Sequence, residues 1–318
     1  MSQTKNILTD QALEIIVARA FEGAKIKTHH ELKEGFCNAA YKIELDNGKR
    51  VVLKIAPANA SHLMSCEMNL MQAEVTAMKV VRENATLLLP SVLYYDASKT
   101  ICDSEYFFME CLEGYSFSSR KNTMTEASIK TLEIEIGAYL KELHLIKGNR
   151  FGLLGSHDTL NDALFPFFEQ LLLSILQDAM KKNIDIGVEA DKLHGALVRD
   201  RAYFQEVTEP VLVHWDTWEG NWFVKDDKII GLIDWERAMY GDPLMEDRFR
   251  SHSRSHHFLE GYGVKDFSES ENVRLAWYDV YLYLIMMVEG AYRGYETDAL
   301  YQWAKSQFLP ILENQLNV

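Results

Sequence analysis

Apolar residues along this chain keep two different periods, and the change from one to the other divides it in two. Leu13, Ile16, Val17, Ala20 and Phe21 recur at helical spacing and predict a helix over residues 10–24. The stretch AAYKIELDNGKRVVLKIAP then alternates on both sides of Asn47-Gly48, a pair that favours a tight hairpin because both residues tolerate positive φ. Helical spacing returns over 63–84, where Met64, Met68, Met71, Val75, Met78 and Val81 form one stripe. Pro90 interrupts it, and SVLYYDA and EYFFMECL predict two more strands. Beyond Gly114 the pattern is mainly helical, with helices predicted over 125–146, 163–182, 191–206, 272–290 and 298–315. The strand signals of this half are VLVH and the hairpin WFVK-DD-KIIGLI. The expected fold is α+β in two lobes, a small β-rich lobe over 1–112 and a larger helical one over 113–318, with a cleft between them suited to a ligand.

Composition narrows the partners. A formal net charge of −14 disfavours nucleic acid and anionic membrane, which attract basic surfaces, and fits a cationic small molecule or simple solubility. The longest apolar run, VYLYLIMMV at 280–288, lies between Asp279 and Glu289 and falls short of the ~20 residues a membrane span needs. The first residues, MSQTKNILTDQALEII, lack a basic stretch followed by an apolar one, so no signal peptide is expected. The four cysteines, Cys37, Cys66, Cys102 and Cys111, form no CxxC pair and fit reduced thiols in the cytoplasm.

Three polar residues near the second hairpin carry the chemistry. Asp216 follows VLVH, Asn221 opens the next strand, and the Asp226-Asp227 turn returns the chain so that Asp234 reaches the end occupied by Asn221. Such hard oxygen donors suit Mg²⁺ together with substrate phosphates. The spacing Asp216-x₄-Asn221, with a later Asp, is that of a phosphoryl-transfer site: one carboxylate orients and deprotonates the acceptor, while an amide and a second carboxylate hold metal. The first lobe offers the complement. Lys54 lies in an apolar strand, where its charge needs a partner, and Glu74 on the following helix supplies one, with Glu67 as the competing choice.

On HWDTWEGN, LIDWERAMYGDPLMED, VLKI, FFMECLEG and KELH at 141–144, the chain resembles the aminoglycoside phosphotransferase and choline kinase-like group of small-molecule kinases, over about residues 30–250. The resemblance implies a protein-kinase-like fold and an ATP- and magnesium-dependent enzyme, with GTP not excluded as donor, that phosphorylates a hydroxyl of a small cationic molecule. It implies Asp216 as the catalytic base, Asn221 and Asp234 on magnesium, and Lys54 with Glu74 on the nucleotide phosphates. It further places Gly35 and Asn38 in the loop over the phosphates and the backbone of Glu110 and Leu112 against the purine. Asp247 would tie the catalytic loop together and His214 would support it. Protein kinases would carry DFG, APE and a glycine-rich GxGxxG; this chain has IDW, GDP and EGFCNAAY instead.

One position departs from the family. Where a glycine usually stands between the histidine and aspartate of the catalytic loop, this chain has Trp215, whose ring must pack or shape the acceptor pocket. His252, His256 and His257 are a weak metal signal without an obvious fourth ligand. The aromatic group Trp277, Tyr278, Tyr281 and Tyr283 reads first as core; with Glu289 or Glu296 nearby it could hold a cation.

Overall fold

The structure, a computed structural model, describes residues 5–33, 38–58, 62–156 and 158–318. The β-rich lobe opens with helix α1 (Asp10–Ala20), whose first turn is capped by the Thr9 side chain accepting from Ala12 N. Strands β1 (Ile26–Leu32), β2 (Ala39–Leu45) and β3 (Arg50–Ile55) follow, then helix α2 (Leu70–Asn84) and strands β4 (Val92–Asp96) and β5 (Tyr106–Glu110). They form an antiparallel sheet in the order β1-β2-β3-β5-β4.

Both faces of this sheet are covered, and the period of two decides which residue meets which cover. Val51, Leu53 and Ile55 of β3 join Leu13, Ile16 and Val17 of α1 in one apolar cluster. Val52, on the opposite face, belongs with Met71, Val75 and Met78 of α2 in the core that continues into the second lobe. Lys54 shares the parity of Val52, so its side chain enters the layer between the sheet and α2.

The second lobe begins with β6 (Tyr115–Ser116), α3 (Phe117–Arg120) and α4 (Glu126–Leu143), then β7 (Gly152–Leu153), α5 (Leu164–Lys181), α6 (Ala190–Arg199) and α7 (Arg201–Phe204). After these come β8 (Val211–Val213), β9 (Trp222–Lys225), β10 (Lys228–Leu232) and β11 (Met239–Gly241). Helices α8 (His256–Tyr262), α9 (Glu269–Arg293) and α10 (Ala299–Asn314) complete it. The β9–β10 hairpin forms through Asp226 and Asp227, both with positive φ (50° and 56°), as the Asp-Asp turn predicts. Helix α9 starts at a capping box between Ser268 and Glu271 and ends at Gly294, φ 66°. Among the described residues no helix is long and apolar enough to cross a membrane.

Several boundaries differ from the sequence reading. Strand β1 was not expected; it is an edge strand with exposed Lys27, Thr28 and His30, so it has little apolar rhythm. The helix expected over 63–84 starts at Leu70, because Asn69 turns left-handed (φ 58°) and Ser65–Glu67 forms a separate turn. The stretch 191–206 holds two helices, and α8 was not anticipated.

Candidate active site

Lys54 occupies the junction of the lobes. Its Nζ donates to both carboxylate oxygens of Glu74 at 2.6 and 2.8 Å and to Asp234 Oδ1 at 2.6 Å. Burial alone would lower the lysine's pKa, but Asp234 and Glu74 outweigh it and the group is raised and charged. Lys54 in turn holds the Asp234 carboxyl below its ordinary value despite burial. Of the two candidate partners, Glu74 is therefore the one that meets Lys54.

Glu67 goes elsewhere. It accepts Met64 N at 3.1 Å within its own turn, and its carboxylate takes Arg237 Nη2 at 2.7 Å and Arg293 Nη2. The left-handed Asn69 separates it from α2, so it does not share the face that carries Glu74.

The catalytic-loop candidates lie next to Lys54. Asn221 Nδ2 donates to Asp216 O at 2.8 Å and to Asp216 Oδ2 at 3.2 Å, so the amide holds the acid in place. Ile233 N donates to Asn221 O at 3.0 Å, which joins the two strand ends carrying Asn221 and Asp234. Burial, with the charges of Asp234 and Asp247, pushes the Asp216 carboxyl up to about 7, against the pull of Arg237.

Glu236 was missed by the sequence reading. It sits two residues after Asp234, and its carboxyl is pushed up to about 8 by burial and by Asp234. Asn38 Nδ2 donates to Glu236 Oε2 at 2.7 Å across the cleft, while Asn38 Oδ1 has no partner among the described residues. Glu74, Asp234 and Glu236 offer carboxylate oxygens within 4.8 Å of one another. Three acids around one lysine, two of them titrating far above their ordinary range, fit a divalent cation bound through hard oxygens. The signal was present as the E of LIDWE, but a lone glutamate beside a tryptophan has many other uses.

The carboxylate that ties the catalytic loop is Glu246, one position before the expected Asp247. Its oxygens accept His214 N at 2.7 Å, Trp215 N at 2.8 Å and Thr217 Oγ1 at 3.3 Å, and they meet His144 Nε2 at 3.3 Å. Asp247 joins the loop only through its backbone, N to Trp215 O at 3.1 Å; its side chain faces His252 at 3.5 Å. Adjacent acids in MED cannot be ranked by spacing alone. His214 is buried; it donates from Nε2 to Ile233 O at 3.0 Å, and burial lowers its pKa, keeping it neutral.

The loop is held under backbone strain. Trp215 has φ 74°, a left-handed conformation that costs a non-glycine residue about 1–2 kcal/mol. That conformation explains why glycine is common at this position, and the paired contacts of Glu246 and Asp247 enforce it here.

The remaining candidates are placed as follows. Glu110 ends β5, donates its N–H to Ser91 O at 3.0 Å and accepts Ser91 N on its carboxylate at 2.9 Å. Leu112 covers Gly231 of β10, where an added Cβ would come within 2.6 Å of Leu112 Cδ1. Gly35 lies outside the described residues. The aromatic group on α9 is core: Trp277 donates to Asp200 Oδ2 at 3.1 Å and Tyr278 to Asp242 Oδ2 at 2.8 Å. Of the three histidines, His252 contacts Tyr283 and Asp247, and His257 contacts Glu260; among the described residues they form no metal-binding group.

Comparison with known proteins places the family and the fold. A sequence model of the phosphotransferase enzyme family matches residues 28–246. A candidate fructosamine-3-kinase from Thermobifida fusca superposes with TM-score 0.70 at 17% identity, covering 94% of this chain and 98% of that one. A thermostable mutant of aminoglycoside phosphotransferase APH(4)-Ia, in ternary complex with ADP and hygromycin B, superposes with TM-score 0.68 at 18% identity, covering 95% and 98%. At such identities these likenesses establish the fold. A subtelomeric hrmA-associated cluster protein of Aspergillus fumigatus is 28% identical over 127 residues, 39% of this chain; the match spans about a quarter (24%) of that relative's length.

Proposed function

The chain belongs to the phosphotransferase enzyme family, and on that premise we propose that it transfers the γ-phosphate of ATP, with magnesium, to a hydroxyl of a small cationic molecule. The observation that carries this reading is the 2.6 Å contact between Lys54 of the β-rich lobe and Asp234 of the helical lobe, inside a group where acids outnumber bases.

Each residue then has a task. Lys54, held by Glu74, positions the nucleotide phosphates, and Asn38 covers them. The backbone of Glu110 and Leu112 meets the purine edge. Asn221, Asp234 and Glu236 would hold magnesium, which when bound neutralises charge on the phosphate oxygens. Asp216 orients the acceptor hydroxyl and takes its proton; a carboxyl raised to about 7 is a base matched to neutral pH. Glu246 and His214 keep the loop in position without touching substrate.

The acidic surplus supports a cationic acceptor, and the aminoglycoside complex of a structural neighbour supports an antibiotic of that type, which would make the activity one of resistance. The fructosamine-kinase neighbour supports a second reading, a metabolite kinase for an amino-alcohol or amino-sugar. Both readings fit a cytoplasmic protein with reduced thiols.

Magnesium-dependent ATP turnover, measured across aminoglycosides, amino-alcohols and fructosamines, tests the reading. Asp216→Asn is expected to lower kcat by about 10²–10⁴-fold. Turnover that survives this substitution unchanged would remove Asp216 from the mechanism.

A further inference from the structure

Trp218 of the catalytic loop is half exposed at the surface, and the other tryptophans of this region fall into two kinds. Trp222 and Trp235 are fully buried, and their indole N–H groups donate to Thr217 O at 2.9 Å and Leu232 O at 3.0 Å. They are packing residues with every polar atom satisfied. Trp215 is different: it is only half-buried, and its indole N–H donates to no acceptor among the described residues.

Its ring is nevertheless fixed in place. The Arg237 guanidinium lies 5.2 Å from the ring centroid, and Tyr281 meets it at 6.3 Å and 70°. Arg237 is itself anchored by Glu67, and the backbone N–H of Trp215 is held by Glu246. Ring and backbone are thus pinned independently, and the left-handed φ persists where glycine would carry no strain.

With the indole in place, the cavity it lines with Glu236, Arg237, Tyr281, Ile285 and Met68 keeps a free volume of only about 20 Å³, room for roughly one water. Glu236, which shares the Lys54 site with Asp234, is on its wall, so the cavity opens beside the proposed phosphate site. We propose that Trp215 is the specificity-determining residue of the acceptor cavity. Its indole fills volume beside Glu236 and Arg237 that a glycine would leave open, so no acceptor ring enters there; of the two acceptor readings above, this selects the compact amino-alcohol or amino-sugar over a multi-ring aminoglycoside. The inference rests on the phosphotransferase reading above.

The test uses two phosphate acceptors of known size, water and hygromycin B, with MgATP as donor. Trp215→Gly is expected to raise acceptor-free MgATP hydrolysis about tenfold, because water reaches the opened space. Millimolar indole should refill that space and return hydrolysis toward the wild-type rate. Hygromycin B should be phosphorylated by Trp215→Gly and not by the wild type. Hydrolysis that does not rise, a rise that ignores indole, or equal use of hygromycin B by both proteins each overturns the proposal. Should Trp215→Gly show no unfolding transition, Trp215→Ala carries the same expectations. The underlying reading fails separately: it falls if MgATP produces no rise in wild-type Tm, or if Asp216→Asn hydrolyses ATP as fast as the wild type.

Discussion

Two groups of buried charge join the lobes, and they differ in balance. Around Lys54, one cation faces Glu74, Asp234 and Glu236. Around Glu67, two cations, Arg237 and Arg293, share two acids, Glu67 and Glu289. The extremes of protonation differ between the groups. Despite burial, Glu67 is held below its ordinary value by its two arginines, whereas burial and neighbouring acids lift Glu236 to about 8 and Asp216 to about 7. Glu289, less completely enclosed than Glu67, is raised by burial. A balanced buried cluster is a structural clamp, and an unbalanced one is poised to receive charge. The comparison separates site from scaffold where distance alone does not, since both clusters bridge the same two lobes.

Breaking the balanced cluster should have the largest effect. Glu67→Ala leaves Arg237 and Arg293 buried without their shared acid, and removing one partner of a buried ion pair typically costs about 3–5 kcal/mol. Urea unfolding measures this directly; a loss under about 1 kcal/mol would mean that the arginines find other partners and that the clamp is not one. Next comes the loop anchor. Glu246→Ala strips the acceptor from two buried backbone N–H groups, at His214 and Trp215, with an expected loss of about 2–4 kcal/mol. Asp247→Ala, one residue away, should cost clearly less than Glu246→Ala, because among the described residues its carboxylate holds no backbone N–H of the loop and meets only His252, at 3.5 Å. Equal losses for the two acids would sink the assignment of the anchor to Glu246.

These residues also show how far the sequence could be read. The Asn47-Gly48 hairpin and the Asp226-Asp227 turn were legible because turn chemistry is local, and the turns bring Lys54 and Asp234 to their places with little further assumption. Glu74 was legible because a lysine in an apolar strand demands a partner nearby. What escaped depended on distance or on near-equivalence. Glu67 pairs with residues 170 and 226 positions away, which no local pattern reveals. Glu246 and Asp247 are adjacent acids whose roles are divided by where the backbone turns. Strand β1 was hidden because its exposed face is polar and its edge position asks for little hydrophobic rhythm. Trp215 was recognisable as a departure, but its left-handed backbone, and an indole N–H without an acceptor among the described residues, are properties of the folded loop alone.

The smallest expected effect sharpens the comparison from the unbalanced side. In chelator-treated protein without nucleotide, the Glu236 carboxyl titrates near 8 in the fold against an ordinary 4.5. Between those values the folded protein holds a proton that the unfolded chain has released, so stability falls as pH rises through the window. Glu236→Gln has no proton to lose, and its amide oxygen can still accept from Asn38 Nδ2. Wild type and variant should therefore have similar Tm near pH 5, where Glu236 is protonated. By pH 8 the variant should be more stable by about 1 kcal/mol, a modest figure because Glu74 and Asp234 share the titration. Magnesium should then raise the wild-type Tm at pH 8 more than that of the variant, since only the wild type offers the extra anion. Parallel Tm–pH curves for the two proteins, or equal responses to magnesium, would show that the acids around Lys54 carry no surplus and that the two interlobe clusters are alike.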